Sequence, residues 1–372
     1  MSNAPSQSTQ EGLPPYSRWP FSDFGIRISF GFRVSGFGFR PRALAGTAHI
    51  RPPAPFATAI LALAIICPMF VLAQVPPRFY WKSLAGANAV PVIFQSLSGN
   101  ANPLDPAHVV SANADIDANV LVAGYAKMLP LFERTLTLAI LEPMGRLSSE
   151  ITVAGRTSHE NATGFGDPMA EVGLNLIGPK AIRTIPDLLR YEPKLSLDVI
   201  VDVAFPIGEY DSGQPLNLGQ NRWYGRVGAP IVWQIGPWVP GRRTTFEVLP
   251  SVWAFTDNND YMGQTLSTDP MFQVEAHLTR DFTEHFWGSV DTTWMAGGKS
   301  SVNGVGGDAL NNVGIGFTLG YQINDNISLT AGYMATVNDD GPTDLRMDGF
   351  RISFTYGWHK IVEGQKRLKS GE

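Results

Sequence analysis

From about residue 88 to residue 358 the chain alternates apolar and polar residues with a period of two, in segments of about 10–14 residues. No other feature constrains the fold as much. The last segment is the clearest: Phe350, Ile352, Phe354, Tyr356 and Trp358 share one parity, with Arg351, Ser353, Thr355 and Gly357 on the other. The same rhythm runs through Ile327, Leu329, Ala331, Tyr333, Ala335 and Val337, through Val313, Ile315, Phe317, Leu319 and Tyr321, and through Leu197, Val199, Val201, Val203 and Phe205. A soluble sandwich also alternates. Its strands, however, average about 5–6 residues, whereas a tilted strand that crosses a bilayer needs about 9–11.

The connections favour the bilayer. Short joins at Met128–Leu131, Asp281–Glu284 and Ile323–Asn326 alternate with longer polar ones at 143–165, 207–220, 257–269, 297–309 and 338–346. Outer-membrane barrels have short periplasmic turns and long extracellular loops in this way. Twelve segments can be placed, at 88–98, 116–127, 132–142, 167–177, 195–206, 221–234, 244–257, 269–280, 285–296, 310–322, 327–337 and 347–358. The expected fold is therefore all-β: a transmembrane antiparallel up-and-down barrel of about 12 strands, with both ends on the periplasmic side. One join fits poorly, because 178–194 is long for a turn; it suggests a helical turn near Asp187–Arg190. Trp223, Trp253 and Trp294 fall toward the long-loop ends of their strands and Trp233 and Trp358 toward the short-turn ends, as two aromatic girdles would require.

Composition fits a chain with two solvents. Only 16% of residues are charged, against about 25% in an average soluble domain, and the net charge of -5 leaves no basic footprint for nucleic acid. The one long uncharged apolar run, Phe56–Ala73, ends in small residues at Val71 and Ala73 and is read as a signal peptide over 51–73, cleaved after Ala73. Residues 1–50 form an extension that is read as an over-extended gene start. The sole cysteine, Cys67, leaves with the signal, so no disulfide or thiol chemistry is expected. The leader carries six Arg against Glu11 and Asp23, which leaves the remainder at -9. A segment over 74–87 precedes the barrel at 88–358, and a polar tail follows over 359–372.

If the apolar parity meets lipid, the other lines a lumen. It collects Glu171, Asn175, Asp198, Asp202, Arg222, Arg226, Glu247, Gln273, Glu275, His277, Asp291 and Arg351. The 207–220 hairpin sets Asp202 opposite Arg226, and Glu275 and Asp291 lie near each other on adjacent strands. Such charges either select solutes at a constriction or close the interior as a salt-bridge network. A search for chemistry finds no nucleophile elbow, phosphate loop or zinc-protease helix. His108, His159, His277, His285 and His359 are dispersed. His277 and Thr279 share a face with Glu275, the one arrangement readable as a nucleophile and base. The runs at Asp257–Asp260 and Asn338–Gly341 lack a full calcium-ligand series and read as turns.

Several ordered motifs carry a family resemblance: Gly164–Pro168 (GFGDP), Asn175–Gly178 (NLIG), Pro206–Asp211 (PIGEYD), Leu216–Trp223 (LNLGQNRW), Phe255–Tyr261 (FTDNNDY), Asp269–His277 (DPMFQVEAH), and Gly297 and Gly298 before Val302–Gly304. Over about 85–358 the sequence resembles the bacterial outer-membrane family labelled as the "Putative MetA-pathway of phenol degradation". The resemblance implies a barrel that passes small hydrophobic or aromatic compounds across the outer membrane of a Gram-negative cell, with lipid and such solutes as partners. The long N-terminal extension and the tail beyond the terminal aromatic depart from that pattern. Asp167, Glu209, Tyr210, Asn217, Asn221, Trp223, Asn258 and Tyr261 fall at the extracellular mouth, as solute-holding or loop-shaping residues. Asp198, Asp202, Arg222, Arg226, Glu247, Glu275, His277 and Asp291 are the lumen charges. The expectation is a passive channel without cofactor, metal or catalytic residues, its solute descending a polar lumen or leaving laterally. The alternatives are a non-selective small-solute porin and a barrel-embedded hydrolase.

Overall fold

A computed structural model describes residues 75–112, 114–153, 156–338, 341 and 343–370. The expected extension over 1–50 and the expected signal peptide over 51–73 lie outside the described residues. The chain runs β1 (Asn88–Gly99), β2 (Ala114–Leu131), β3 (Arg134–Val153), β4 (Arg156–Phe165), β5 (Met169–Ile177), a short helix α1 (Ile185–Leu189), β6 (Leu195–Ala204), β7 (Tyr224–Gly228), β8 (Ile231–Gln234) and β9 (Thr244–Phe255). It continues through β10 (Asn258–Tyr261), β11 (Gln264–Thr268), β12 (Met271–Asp281), β13 (Phe286–Gly297), β14 (Ser300–Val302), β15 (Val305–Gly306), β16 (Leu310–Gln322), β17 (Ile327–Thr336), β18 (Met347–Trp358) and a final helix α2 (Lys360–Ser370).

Neighbouring wall strands pair antiparallel all the way round, and β18 returns to β1 with Asn88 opposite Trp358 and Gly99 opposite Met347. Two spans are interrupted: β4 and β5 by residues 166–168, and β7 and β8 by Ala229 and Pro230. With each counted once, the wall is a closed 12-strand antiparallel barrel. Pro230 has no N–H for the ladder, but its carbonyl still accepts from Asp198 N at 2.9 Å and Ala229 N donates to Pro250 O at 2.9 Å. The two-residue turn after β2 is made by Phe132 and Glu133, both at positive φ (46° and 66°), the geometry that matches strand twist in a tight hairpin.

Burial is inverted relative to a soluble protein. Along β12, Gln273, Glu275, His277, Thr279 and Asp281 are buried while Phe272 and Leu278 are exposed. The parity read from the sequence holds on the other walls: Ile315, Phe317 and Tyr321, and Phe350, Ile352, Phe354 and Tyr356, all face outward.

The structure corrects the sequence reading in four places, the first being the short join read at Met128–Leu131, which is the end of β2, paired with Arg134–Thr137. Residues 143–153 and 156–165 are strand rather than connection, since β3 runs on to Val153 and β4 returns beside it. His159, Asn161 and Thr163 are exposed on β4, so this hairpin lacks the apolar face that a lipid-facing strand imposes on the sequence. The loops at 257–269 and 297–309 fold into a separate four-stranded sheet, β10-β11-β14-β15. Trp253 belongs to no girdle, because it is buried inside and its Nε1 donates to Gln273 Oε1 at 2.7 Å. In the 178–194 join the helical turn expected near Asp187–Arg190 is present as α1, capped by Thr184 and with Pro186 in its first turn.

Candidate functional site: a lumen closed at both ends

The strand register assembles a charged belt midway along the lumen. Asp202 on β6 lies directly opposite Arg226 on β7, and Glu171 on β5 lies opposite Asp202 on its other side. The Arg226 guanidinium reaches Asp202 Oδ2 at 2.5 Å and Glu275 Oε1 at 3.0 Å, and sits 5.1 Å from the Trp253 ring. Asn175 donates to Asp198 Oδ1 at 2.7 Å. On β12 and β13 the cross-strand partner of Asp291 is His277, two residues from Glu275, with 2.8 Å between Nδ1 and Oδ1. Thr318 donates to the other Asp291 oxygen at 2.6 Å. Glu247 and Arg351 complete the buried set. Buried ions of this density are tolerable only when paired, because each isolated charge costs several kcal/mol.

Acids outnumber cations in this belt, and the deficit is met by the segment before β1. Residues 75–87 enter the short-turn half of the lumen. Val75 N donates to Glu275 Oε2 at 2.7 Å, Arg78 N to Glu247 Oε2 at 2.9 Å, and Trp81 Nε1 to Glu247 Oε1 at 2.8 Å. Lys82 pairs with Asp198. Arg78 and Arg243 share Asp281 at 2.8 and 2.7 Å. The Arg78 guanidinium lies 4.4 Å from the Trp81 ring and 4.1 Å from Trp287, and Trp81 packs on Trp238 at 4.7 Å. Burial pushes the Arg78 guanidinium down to about 10, which leaves it cationic at neutral pH. A cavity of about 10 Å³ remains between Val75, Tyr80, Glu247, Glu275 and His277, enough for one water at most. Sequence reasoning left open whether 74–88 blocks the lumen and singled out none of its residues. The available signal was Arg78 and Lys82 flanking three consecutive aromatics, just ahead of a lumen rich in carboxylates.

The long-loop end is closed by different chemistry. The loop between β1 and β2 folds inward, where Asp105 takes both its oxygens to within 2.8 Å of Arg222 Nη2. Arg222 Nη1 donates to Thr268 Oγ1 at 2.7 Å, and Asn102 Nδ2 to Asn217 O at 2.7 Å. Leu104 and Val110 of this loop pack, partly buried, against an apolar cluster that includes Leu97, Met271, Met295, Met334, Leu345 and Met347. The expectation of a polar lumen along its whole length is therefore corrected: its outer storey is apolar and rich in methionine. Arg222 stands at the rim rather than in the belt.

The mouth residues mostly hold one another. Asp167 Oδ1 accepts from Gly208 N at 2.9 Å and Oδ2 from Gln220 N at 2.7 Å. This draws three backbones so close that a Cβ on Gly208 would fall 2.4 Å from the Gly166 carbonyl carbon, and one on Gly219 would fall 2.7 Å from that of Gly208. Asn217 Oδ1 accepts from Asp211 N at 2.7 Å while its Nδ2 donates to Gln214 O at 2.8 Å. Asn221 donates to Asn258 Oδ1 at 3.0 Å, Asn258 to the Tyr210 hydroxyl at 2.8 Å, and Tyr210 to Asp260 O at 2.9 Å. Glu209 contributes backbone bonds to Phe165 and Gly219, with its carboxylate against Gly164. Tyr261 ends β10, opposite Gln264. Trp223 is 49% exposed on the outer surface, its ring 5.4 Å from that of Phe205.

The grouping of Glu275, His277 and Thr279 does not form a nucleophile and base. The Thr279 hydroxyl pairs with that of Thr245 at 2.8 Å, and His277 is bonded to Asp291. Among the described residues no His, Cys, Asp and Glu cluster has the makings of a metal site.

The family profile described as "Putative MetA-pathway of phenol degradation" matches residues 98–355. No curated protein sequence matches the chain. Among solved structures, the COG4313 outer membrane channel from Pseudomonas putida F1 superposes with a TM-score of 0.63 at 19% identity, over 77% of this chain and 100% of that one. The NanC porin gives 0.39 at 11% identity, over 72% and 98%. The TodX monoaromatic hydrocarbon channel, as its deltaS2 mutant, gives 0.34 at 11% identity, over 74% and 90%. The first of these likenesses supports the outer-membrane barrel fold.

Proposed function

We infer the function from family membership outward: the chain belongs to the family described as "Putative MetA-pathway of phenol degradation". On that premise the protein is a passive outer-membrane channel for small hydrophobic or aromatic compounds. The observation that carries this reading is the two-storey lumen. A solute arriving from the long-loop end, which outer-membrane barrels turn outward, first meets Met271, Met295, Met334 and Met347 with Trp253 and Tyr224. Thioethers are polarizable and adaptable and make favourable contacts with aromatic rings, so this compartment suits a planar apolar solute better than a sugar. Leu104 and Val110 fill it in the closed state, and the solute takes their place. Below it, the Asp202–Arg226–Glu275 belt disfavours a solute that brings no polar group of its own. Onward passage requires the 75–87 segment to move, or an exit through the wall. Tyr210, Asn217 and Asn258 shape the mouth in this reading, and Asp167 and Glu209 fix its loops.

Liposome swelling tests it. Phenol-sized aromatics should permeate proteoliposomes faster than sugars of equal mass, and Met295→Ala with Met334→Ala should reduce the preference. Equal permeation of both classes would make the protein a non-selective small-solute porin.

A further inference from the structure

The chain does not stop at the terminal aromatic of β18 but turns into α2, and the two sides of this helix differ. One side is held to the barrel: Lys366 Nζ lies 3.0 Å from Asp325 and 3.1 Å from Asn326 Oδ1, both in the turn between β16 and β17. His359, buried at the start of the helix, places Nε2 3.0 Å from Ala85 O and so fixes where the chain leaves the wall. The other side carries two stripes. Ile361 and Leu368, seven residues and so about two turns apart, are exposed, and so are Lys360 and Arg367 at the same spacing. An apolar stripe bordered by a basic one is the pattern of helices that lie in a membrane interface.

Two further observations say what covers that face. The first is position: α2 starts directly after Trp358, whose ring stacks on Tyr356 at 5.5 Å and approaches Tyr125 at 6.3 Å, in the short-turn girdle that marks the lipid boundary. The second is charge. With Lys366 paired to Asp325, Lys360 and Arg367 stand against a single acid, Glu363, over 360–368, in a chain of net charge -5. We propose that α2 lies on the periplasmic leaflet of the outer membrane, with Ile361 and Leu368 among the acyl-chain ends of the headgroups and Lys360 and Arg367 on anionic phospholipid. The helix then extends the aromatic girdle sideways and braces the seam where β18 meets β1.

Spin-label accessibility on the full chain tests this. A Leu368→Cys label in a Cys67→Ala background is placed in nanodiscs of phosphatidylethanolamine, with or without one part in three phosphatidylglycerol. Anionic lipid should raise accessibility to oxygen and lower accessibility to a water-soluble nickel chelate. Lys360→Gln with Arg367→Gln should lower the docked-to-undocked ratio by about fivefold per charge, roughly 25-fold for both. An Ile361→Cys label should report the same shift, which guards against a local effect of the probe at Leu368. Equal nickel accessibility in both lipids would overturn the proposal. Protection that persists in detergent without phospholipid would overturn it too, in favour of a protein contact.

Discussion

Acidification should loosen the loop that closes the mouth, through His108. This histidine sits in the inward-folded loop between β1 and β2, is 4% exposed, and donates its backbone N–H to Asp105 O at 2.9 Å. Burial pushes its imidazole down to about 4 from an ordinary value near 6.5, with Asp105 pulling the other way. An open loop would bind the proton below about pH 6.5, and the closed loop refuses it until about pH 4. The contribution of this group to closure is therefore complete above pH ~6.5 and falls progressively below it, and is lost by pH ~4. At about 1.4 kcal/mol per pH unit, the gap amounts to about 3 kcal/mol, or roughly two orders of magnitude in the closed-to-open ratio. Single-channel recording in planar bilayers between pH 7.5 and 4.5 reads this directly, in a window that leaves most carboxylates ionised. Open probability should rise as pH falls in the wild type and stay nearly flat in His108→Gln. A wild-type trace without pH dependence over that range, or a His108→Gln variant with the same slope, would refute the reasoning.

Three other outcomes follow from the contacts. Arg78→Gln with Lys82→Gln removes the two cations that seat the 75–87 segment on Asp281 and Asp198, so conductance should increase severalfold while the barrel keeps its gel mobility shift on heating. Asp167→Ala strands the N–H groups of Gly208 and Gln220, at about 1–3 kcal/mol each, and should expose residues 206–221 to added protease on intact cells. Arg226→Ala leaves Asp202 and Glu275 buried without their cation and should cost about 3–5 kcal/mol, visible as a lower unfolding temperature in detergent; removing Asp202 as well should recover part of it.

The wall was legible in the sequence and the closures were not, for a physical reason. A strand with one face in lipid must be apolar at every second residue, and that single demand exposed the twelve spans from Asn88 to Trp358. It also fixed which residues point inward, because a register in which Asp202 meets Arg226 follows once parity and turn length are set. Residues 75–87 and 100–112 obey no such demand. Their contacts are with protein and individual, so Trp81 answers Glu247, Lys82 answers Asp198, and Leu104 joins the apolar cluster, with no repeat along the chain. The β3–β4 hairpin escaped because its exposed parity is polar, at His159, Asn161 and Thr163, so the alternation of a lipid-facing strand is missing there.

What the sequence did contain was a charge imbalance. The inward parity carries Glu171, Asp198, Asp202, Glu247, Glu275, Asp281 and Asp291 against Arg226, Arg243 and Arg351, which no closed low-dielectric interior can hold unaided. Either water fills such a lumen or another segment brings cations to it. Arg78 and Lys82, set among Phe79, Tyr80 and Trp81 immediately before the first strand, meet both needs of a plug: charge for the carboxylates and ring area to exclude water. In a barrel, summing the charge of the inward parity thus points to an internal segment that alternation cannot reveal. Here the segment meets that need with ion pairs to Asp198 and Asp281, backbone bonds to Glu247 and Glu275, and the packing of Trp81 on Trp238.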